Sequence, residues 1–337
     1  MKTVLLTGIG GSIGVHFVAH IMHNTDWNIV GVDSFRHKGE FDRITAVCED
    51  HPDWPERIKV IQHDLTAPFT QRQTQSLGKI DYIIHLASLS DVQASIEDPV
   101  PTIKNNVELT LNTLELSKIL KPKMFVLFST DEVYGPAEVD GAHPEWDVIL
   151  PSNPYAASKA CQEAIAISYW RSYGVPLVIT NTMNNFGEMQ QPSKYPVKIQ
   201  KAIDSGETLS VHSQDGNIGT RYYIHSRNAA DAVLFILKLG KPTLFHAKDH
   251  IARPDRYNIV GDVQLDNLEL AKLIEKLMGK KLHYQMTDFH SEQPGHDLHY
   301  GLNGDKLKKL GWKPPVDFKT SLKNTIEWQQ QHSEWIR

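Results

Sequence analysis

Short apolar runs alternate with stretches of helical periodicity over the first half of the chain. Four runs are too short for ordinary helices and are predicted to be strands: residues 2–7, 27–33, 57–65 and 80–88. The intervening segments 15–23 and 102–120 carry apolar residues three and four positions apart, which is typical of amphipathic helices. Strands that alternate with helices over short connections predict an α/β fold with a Rossmann-like, doubly wound parallel sheet.

A fifth apolar run, Met124–Phe128, leads directly into polar residues. Five consecutive apolar positions after a proline predict a strand that is buried on both faces. Hydroxyl and carboxyl side chains follow at once: Ser129, Thr130, Asp131 and Glu132. Ligands of open α/β sheets bind beyond the carboxyl ends of the strands, so we expect a site here.

The pattern changes after Gly135, where prolines recur. A helix at 155–173 and a strand at 175–180 are still predicted, but the strict alternation then weakens. We therefore expect two domains. A Rossmann domain covers residues 1–187, with a later contribution around 220–245, and a smaller mixed α/β C-terminal substrate domain at 188–337 is partly interleaved with it.

A glycine-spaced loop joins the first predicted strand to the first predicted helix. Its spacing is G-x-x-G-x-x-G, and the candidate cofactor contacts are Gly8, Gly11, Ser12, Ile13 and Gly14. Such a loop allows a tight turn and a close approach of backbone to a pyrophosphate at a helix N-terminus. A flexible loop is the alternative, but the flanking strand and helix favour a dinucleotide.

The second predicted strand ends in Asp33, which lies 19 residues after Gly14. This separation is close to the ~20 residues at which a carboxylate holds a cofactor ribose. A carboxylate there repels the 2′-phosphate of NADP, which favours NAD. Arg36 and Lys38 follow and can offset that repulsion. Further candidate cofactor contacts lie at the ends of the next two predicted strands: Asp64, Leu65, Leu86, Ala87 and Ser88. For Asp64 and Leu65, an ordinary strand-end turn is the alternative.

Tyr155 and Lys159 lie four residues apart on the helix predicted at 155–173, so both side chains share one face. A nearby ammonium and a cationic nicotinamide favour the phenolate of a tyrosine, whose ordinary pKa is ~10. Tyr155 is then a candidate base for a hydroxyl group, Thr130 a hydrogen-bond partner of that hydroxyl, and Lys159 a ligand of the nicotinamide ribose. An exposed helical pair is the alternative.

Asp131 and Glu132 add chemistry that simple alcohol oxidation does not need. Once a sugar carries a 4-keto group, its C5 proton becomes acidic, and a carboxylate base can remove it while a carboxylic acid protonates the departing C6 hydroxyl. Two adjacent carboxyls raise each other's proton affinity, which can keep one acidic and one basic. The alternative is a solvated turn.

Composition and charge narrow the class of protein that the chain can be. The net charge of −5 provides no general electrostatic attraction for nucleic acid, and no apolar run reaches the ~20 residues of a membrane span. Only Cys48 and Cys161 are present, so a reducing, cytoplasmic location is expected. Although the chain has 17 histidines, none of the spacings considered indicates a metal site.

These motifs resemble the extended short-chain dehydrogenase/reductases, in particular the nucleotide-sugar 4,6-dehydratases of the dTDP-glucose type. The segment 129–135, Ser-Thr-Asp-Glu-Val-Tyr-Gly, matches the dehydratase signature. The resemblance implies NAD as the cofactor, a nucleoside-diphosphate sugar as the substrate, and a homodimer built on the helices near 102–120 and 155–173. It also implies these substrate contacts: Ser129, Asn184, Asn185, Arg221 and His296.

The chain departs from the family pattern near the expected sugar pocket. Leu89 stands in place of a carboxylate, Asp91 in place of a histidine, and Gln293 in place of an arginine. The expected activity is that of a nucleoside-diphosphate-hexose 4,6-dehydratase. A 4-epimerase or decarboxylase of the same family, or a non-catalytic dinucleotide-binding protein, is the alternative.

Overall fold

The computed structural model describes residues 1–37, 39–138, 141–240, 245–246, 251–288 and 295–336. Lys38, Gln293 and Pro294 lie outside these ranges. The strands are β1 Thr3–Thr7, β2 Asn28–Asp33, β3 Ile58–Gln62, β4 Tyr82–His85, β5 Met124–Thr130, β6 Leu177–Thr182, β7 Asn184–Phe186, β8 Thr208–Gln214, β9 Asn217–Ile218, β10 Thr220–His225, β11 Phe245–His246, β12 Ala252–Arg253, β13 Asp255–Ile259, β14 Gln264–Asp266 and β15 His283–Asp288.

The helices flank these strands. They are α1 Gly14–Asn24, α2 Glu40–Cys48, α3 Gln71–Ser76, α4 Val92–Glu97, α5 Pro99–Leu120, α6 Pro154–Tyr173, α7 Tyr195–Ser205, α8 Ser226–Leu239, α9 Asn267–Met278, α10 Asp305–Lys309 and α11 Phe318–Gln331. Short 3-10 helices cover Trp54–Arg57, Asp131–Tyr134 and Ser333–Trp335. Across the described ranges, every helix is too short or too polar to span a lipid bilayer.

A seven-stranded parallel sheet forms the centre of the larger domain, in the order β13-β6-β5-β4-β1-β2-β3. This confirms the predicted doubly wound sheet. The strand order reverses between β1 and β4, which creates the crevice where α/β sheets of this type bind ligands. Helices α1 and α8 cover one face of the sheet, and α5 and α6 cover the other, each over a layer of buried apolar side chains.

A smaller body of the molecule contains strands β7–β10, β14 and β15 and helices α7, α9 and α11. Strand β10 pairs with β7 and β14, while β8 pairs with β15 and β9. Helices α7, α9 and α11 pack over these strands around a separate apolar cluster. Arg221, at the start of β10, therefore belongs to this smaller body, and its charge acts on Asp131 and Glu132 beyond the end of β5.

One strand crosses the predicted domain boundary. The mixed segment 256–260 falls within the range 188–337 that is expected to form the smaller lobe, but β13 pairs in parallel with β6 and forms an edge of the main sheet. The chain thus returns to the Rossmann domain beyond the contribution expected around 220–245. Local periodicity identifies a strand there but does not show which sheet it joins.

Candidate active site

The loop between β1 and α1 leaves no room for side chains on its glycines. A Cβ atom on Gly14 would lie 2.1 Å from the carbonyl oxygen of Gly8, and Gly8 itself has a φ of +73°. Helix α1 begins without a side-chain cap, so side chains do not occupy the amides of its first turn. This cradle fits the pyrophosphate of a dinucleotide.

Asp33 is tied to that loop. The amide of Gly10 donates a 2.9 Å hydrogen bond to its Oδ2 atom. A second carboxyl, that of Glu40, lies nearby. Burial and the charge of Asp33 together raise its pKa. Arg36 pairs with Asp64 at 3.1 Å and with the amide oxygen of Asn105 at 3.2 Å. Arg36, one of the two cations expected to offset Asp33, is therefore engaged elsewhere, and Lys38 lies outside the described residues.

The other predicted cofactor contacts converge on the crevice between β1 and β4. A Cβ atom on Gly8 would lie 3.0 Å from the amide of Ala87, so the ends of the two strands nearly touch. Leu86, Ala87 and Ser88 are half-buried beside this contact, and Leu65 is buried. The hydroxyl of Ser12 donates to the side-chain oxygen of Gln191 at 2.9 Å. Ser12 thus also connects the loop to the segment that follows β7.

The end of β5 carries the predicted catalytic groups. The Thr130 hydroxyl donates a 2.9 Å hydrogen bond to Oδ1 of Asp131 and also interacts with the phenol of Tyr155. Oδ2 of Asp131 is buried and has no hydrogen-bond partner in the described part of the chain. Buried carboxyl oxygens normally have partners, so this atom is available to a substrate.

Helix α6 brings Tyr155 and Lys159 to this strand end because its N-terminus is held there. Asn153 caps the helix by accepting the Ala156 amide at 2.8 Å, and its side-chain nitrogen donates to Glu132 at 3.0 Å. Capping and catalytic positioning therefore share one side chain. Sequence reasoning missed Asn153, although an asparagine before Pro154 is a recognisable helix start.

The two carboxyls have different environments. Burial, followed by the neighbouring Glu132, raises the pKa of Asp131 to about 7. Burial also raises the pKa of Glu132, but the hydrogen bond from Asn153 and the charge of Arg221 oppose that rise. The pKa values of both carboxyls are thus raised, and the groups that oppose the rise differ between them. The assignment of one acidic and one basic partner stays a prediction.

One electrostatic expectation needs correction. Burial and the charges of Glu132 and Asp131 raise the pKa of Tyr155, and Lys159 does not reverse this. The Lys159 ammonium donates to the carbonyl oxygen of Phe128 at 2.9 Å, and burial lowers its pKa to about 8. Groups in the described part of the chain alone therefore do not favour the phenolate.

Arg221, at the start of β10, presents a fixed positive charge. Its guanidinium donates to three backbone carbonyls at 2.7–2.8 Å, those of Thr220, Leu298 and Asp297, and it lies 4.4 Å from the centre of the Tyr300 ring. No ion pair of Arg221 with a carboxylate occurs among the described residues. Carbonyl partners orient the group without neutralising it, which suits an anionic ligand.

The remaining predicted substrate contacts vary in accessibility. Ser129 is buried, and its hydroxyl has no partner within the described ranges. The Asn185 side chain turns back to donate to the Met183 carbonyl at 3.0 Å, whereas Asn184 is half-buried on the same strand. His296 is also half-buried. Lys194, which sequence reasoning missed, is close enough to act on the pKa of Glu132.

Two of the departures from the family pattern have structural roles. The Asp91 side chain caps α4 by accepting the Ala94 amide at 3.0 Å. Leu89 exchanges backbone hydrogen bonds of 2.8 and 3.0 Å with the side chain of Asn106. The backbone that follows β4 is therefore anchored, although the side chains of Leu89 and Asp91 differ from the family pattern there.

A buried cluster lies behind the glycine loop. Side-chain atoms of His16, Glu188 and His225 all lie within 4.8 Å of one another, a grouping that sequence spacing did not reveal. The Arg227 amide donates to Nδ1 of His225, which leaves the proton on Nε2 for the 3.0 Å bond to Glu188. Nε2 of His16 lies 3.2 Å from the Glu188 carbonyl oxygen. These hydrogen bonds satisfy the cluster and link α1, β10 and the segment after β7.

The fold and the glycine loop define a Rossmann-type dinucleotide-binding protein. The family model described as GDP-mannose 4,6 dehydratase matches residues 5–325. The chain belongs to the nucleotide-sugar 4,6-dehydratase family of extended short-chain dehydrogenase/reductases.

Individual relatives agree with this placement. A dTDP-glucose 4,6-dehydratase of Escherichia coli is 31% identical, over 98% of this chain and 94% of that protein. The solved dTDP-glucose 4,6-dehydratase of Streptomyces venezuelae, with NAD bound, has a TM-score of 0.84 at 27% identity and covers 99% and 98% of the two chains. The fold likeness extends to the NAD-bound UDP-glucuronic acid 4-epimerase of Bacillus cereus, with a TM-score of 0.84 at 24% identity over 98% and 100%. NAD in these neighbours supports the dinucleotide predicted from the glycine loop.

Proposed function

We propose that this protein is an NAD-dependent nucleoside-diphosphate-hexose 4,6-dehydratase. The observation that carries the proposal is the adjacent acid pair at the end of β5. Asp131 is buried, its pKa is raised to about 7, and its Oδ2 atom has no partner in the described part of the chain. Both carboxyls lie beside the group formed by Thr130 and Tyr155. Oxidation alone does not require such a pair.

The first step is oxidation at C4 of the sugar. Tyr155 takes the proton of the C4 hydroxyl, Thr130 orients that hydroxyl, and Lys159 fixes the cofactor ribose and contributes positive charge. NAD⁺ would be held by the glycine loop, Asp33 and Lys159, and it would supply the hydride acceptor for the oxidation at C4. Its positive charge would offset the rise in the pKa of Tyr155 that the buried site imposes.

The second step removes water. With a ketone at C4, Glu132 takes the C5 proton and Asp131 donates a proton to the C6 hydroxyl as it leaves. The hydrogen bond from Asn153 at 3.0 Å keeps Glu132 directed and favours its ionised form. Return of the hydride to C6 and of a proton to C5 yields a 4-keto-6-deoxy sugar nucleotide.

Arg221 supports a diphosphate as the handle of the substrate. Its charge is oriented by backbone carbonyls rather than neutralised, and it acts on the pKa values of both acids. A diphosphate bound to Arg221 would place the attached hexose toward the end of β5. Lys194 adds a second positive charge that acts on Glu132.

A 4-epimerase is the second candidate, because a solved enzyme of that activity shares the fold. An epimerase also oxidises C4, so Thr130, Tyr155 and Lys159 fit both activities. It has no hydroxyl to expel, which leaves the raised pKa of Asp131 without a purpose. The acid pair therefore favours dehydration.

A homodimer through α5 and α6 is part of the same proposal. Val100, Ile103 and Leu111 lie along one side of α5 and are 56%, 36% and 40% exposed. Apolar side chains at such spacing on an exposed helix form an association surface. Helix α5 packs beside α6, so the two helices together present the face that the family resemblance assigns to the dimer.

Glu132→Gln tests the dehydratase assignment. Glutamine retains the shape of Glu132 but not its basicity, so oxidation at C4 should continue while loss of water slows by roughly 10²–10⁴-fold. Stopped-flow absorbance should then show reduced cofactor accumulating with nucleoside-diphosphate hexoses. Product formation at the wild-type rate in this variant would contradict the proposal.

A further inference from the structure

A fully buried ion pair lies beneath the catalytic groups. The Arg256 guanidinium, on β13, contacts the Glu163 carboxylate, on α6, at 2.7 Å, and both side chains are 0% exposed. Arg256 also donates to the hydroxyl of Tyr134 at 2.9 Å and lies 4.2 Å from the centre of the Trp146 ring. Glu163, Arg256 and Tyr134 are buried, Trp146 is half-buried, and none of them forms part of the mechanism above.

The pair connects to two catalytic residues. The side-chain nitrogen of Asn181 donates to Glu163 at 2.8 Å and to the backbone carbonyl of Thr130 at 3.0 Å. Glu163 also lies one helical turn after Lys159 on α6. One carboxylate therefore reaches the strand end that carries Thr130 and the helix face that carries the lysine.

Stability alone does not account for this arrangement. Desolvating two charges offsets much of their attraction, so well-packed apolar residues often stabilise a fold equally well. The negative charge of Glu163 matters more for the neighbouring Lys159. Burial lowers the pKa of Lys159 to about 8, and the charge of Glu163 opposes that fall.

We propose that Glu163 is a positioning residue for the hydride-transfer step. It keeps the Lys159 ammonium charged inside the protein, and through Asn181 it fixes the end of β5 that carries Thr130. Arg256 neutralises Glu163 from the opposite side and ties the returning strand β13 to the site. The proposal depends on the function proposed above only through the roles of Lys159 and Thr130.

The test measures the charge of Lys159 directly, in the NAD-bound protein without sugar. Carbon-13 NMR of labelled lysine side chains, assigned with Lys159→Arg, follows the titration of this ammonium. The other titratable groups around the network include His85 at the end of β4, the acids Asp131 and Glu132, Tyr155 on α6, and Tyr134, Glu145 and Arg256 around Glu163. In Glu163→Gln, the Lys159 pKa should fall by roughly one unit.

A double variant separates positioning from folding. Glu163→Gln alone leaves the Arg256 charge buried and unpaired, so its melting temperature should fall. Glu163→Gln with Arg256→Met removes both charges and should restore the melting temperature. The pKa of Lys159 should remain lowered in the double variant, whereas Glu108→Gln on the exposed side of α5 should leave it unchanged.

Recovery of both the melting temperature and the wild-type Lys159 titration in the double variant would overturn the proposal, because it would make the pair purely structural. A lowered Lys159 pKa in a stable double variant supports it. Since no sugar is present, this result stands even if no nucleoside-diphosphate hexose is turned over. Failure of the proposed function would therefore be recognised separately.

Discussion

Asp131 and Glu132 are chemically similar carboxyls that differ in their neighbours. Asp131 is buried against Thr130 and keeps one oxygen without a partner in the described part of the chain, whereas Glu132 receives a hydrogen bond from Asn153. In the proposed mechanism, these different surroundings make Asp131 the acid and Glu132 the base. Sequence position predicts the pair, but Asn153, the residue that distinguishes its members, emerges only from the three-dimensional contacts.

Replacing Asp131 should make the fold more stable at alkaline pH. Its folded-state pKa of about 7 lies above its usual value. Its ionisation therefore lowers the free energy of unfolding as pH rises toward 7, and this loss stays constant at higher pH. Asp131→Asn removes this cost. Thermal unfolding should show a gain at pH 8, bounded by about 4 kcal/mol, and a smaller gain at pH 5. An equal gain at both values would exclude a raised pKa as its source.

Arg221→Met should weaken substrate binding. Loss of a charged hydrogen-bond donor toward a diphosphate costs about 1.5–3 kcal/mol, so KM should rise by roughly 10- to 100-fold. The rate constant kcat should change less, because Arg221 does not contact the reacting carbons in the proposed mechanism. Lys201→Met, on the exposed side of α7, is the control. An unchanged KM for Arg221→Met would contradict the diphosphate assignment.

Individual elements differ in how well the sequence predicts them. The strands of the main sheet and helices α5 and α6 follow from their periodicity, because burial on one or both faces leaves a clear pattern. Helices α3 and α4 were missed because six polar or mixed residues show no such pattern. The sheet membership of β13, and with it the contact between Arg256 and Glu163, depends on pairing between distant segments. No local pattern carries that information.

Gly14→Ala tests the close packing of the cofactor loop. The added methyl group would lie 2.1 Å from the Gly8 carbonyl oxygen, so the loop has to open and its amides move away from the pyrophosphate. The NAD content of the purified variant should fall at least ~10-fold, because the oriented contacts of the loop with the pyrophosphate are lost. Asn24→Ala, at the exposed end of the same helix, should retain its NAD. Full NAD content in Gly14→Ala would show that the loop is not the binding element.

At the scale of the whole molecule, the site is assembled by two bodies of the chain. The main sheet contributes Thr130 and the acid pair, and the smaller body contributes Arg221. Strand β13 and helix α8 return from the C-terminal half to the Rossmann domain, so the two bodies are joined by more than one crossing.

Leu111→Glu should dissociate the proposed dimer. A charge at a desolvated helix surface costs more than the association gains from one apolar side chain. Light scattering should give twice 38.2 kDa for the wild type and 38.2 kDa for the variant. Leu239→Glu, at a 49% exposed position on α8, should remain dimeric. A dimer that persists in Leu111→Glu would move the interface away from this face of α5.

Reaction in deuterated water tests most directly whether a C5 proton is removed and water lost after oxidation at C4. The account predicts that nuclear magnetic resonance of the product shows a 4-keto-6-deoxy sugar nucleotide, with deuterium at C5 and the original C4 hydrogen at C6. A product that keeps its C6 hydroxyl and carries no deuterium, differing only in configuration at C4, would contradict it.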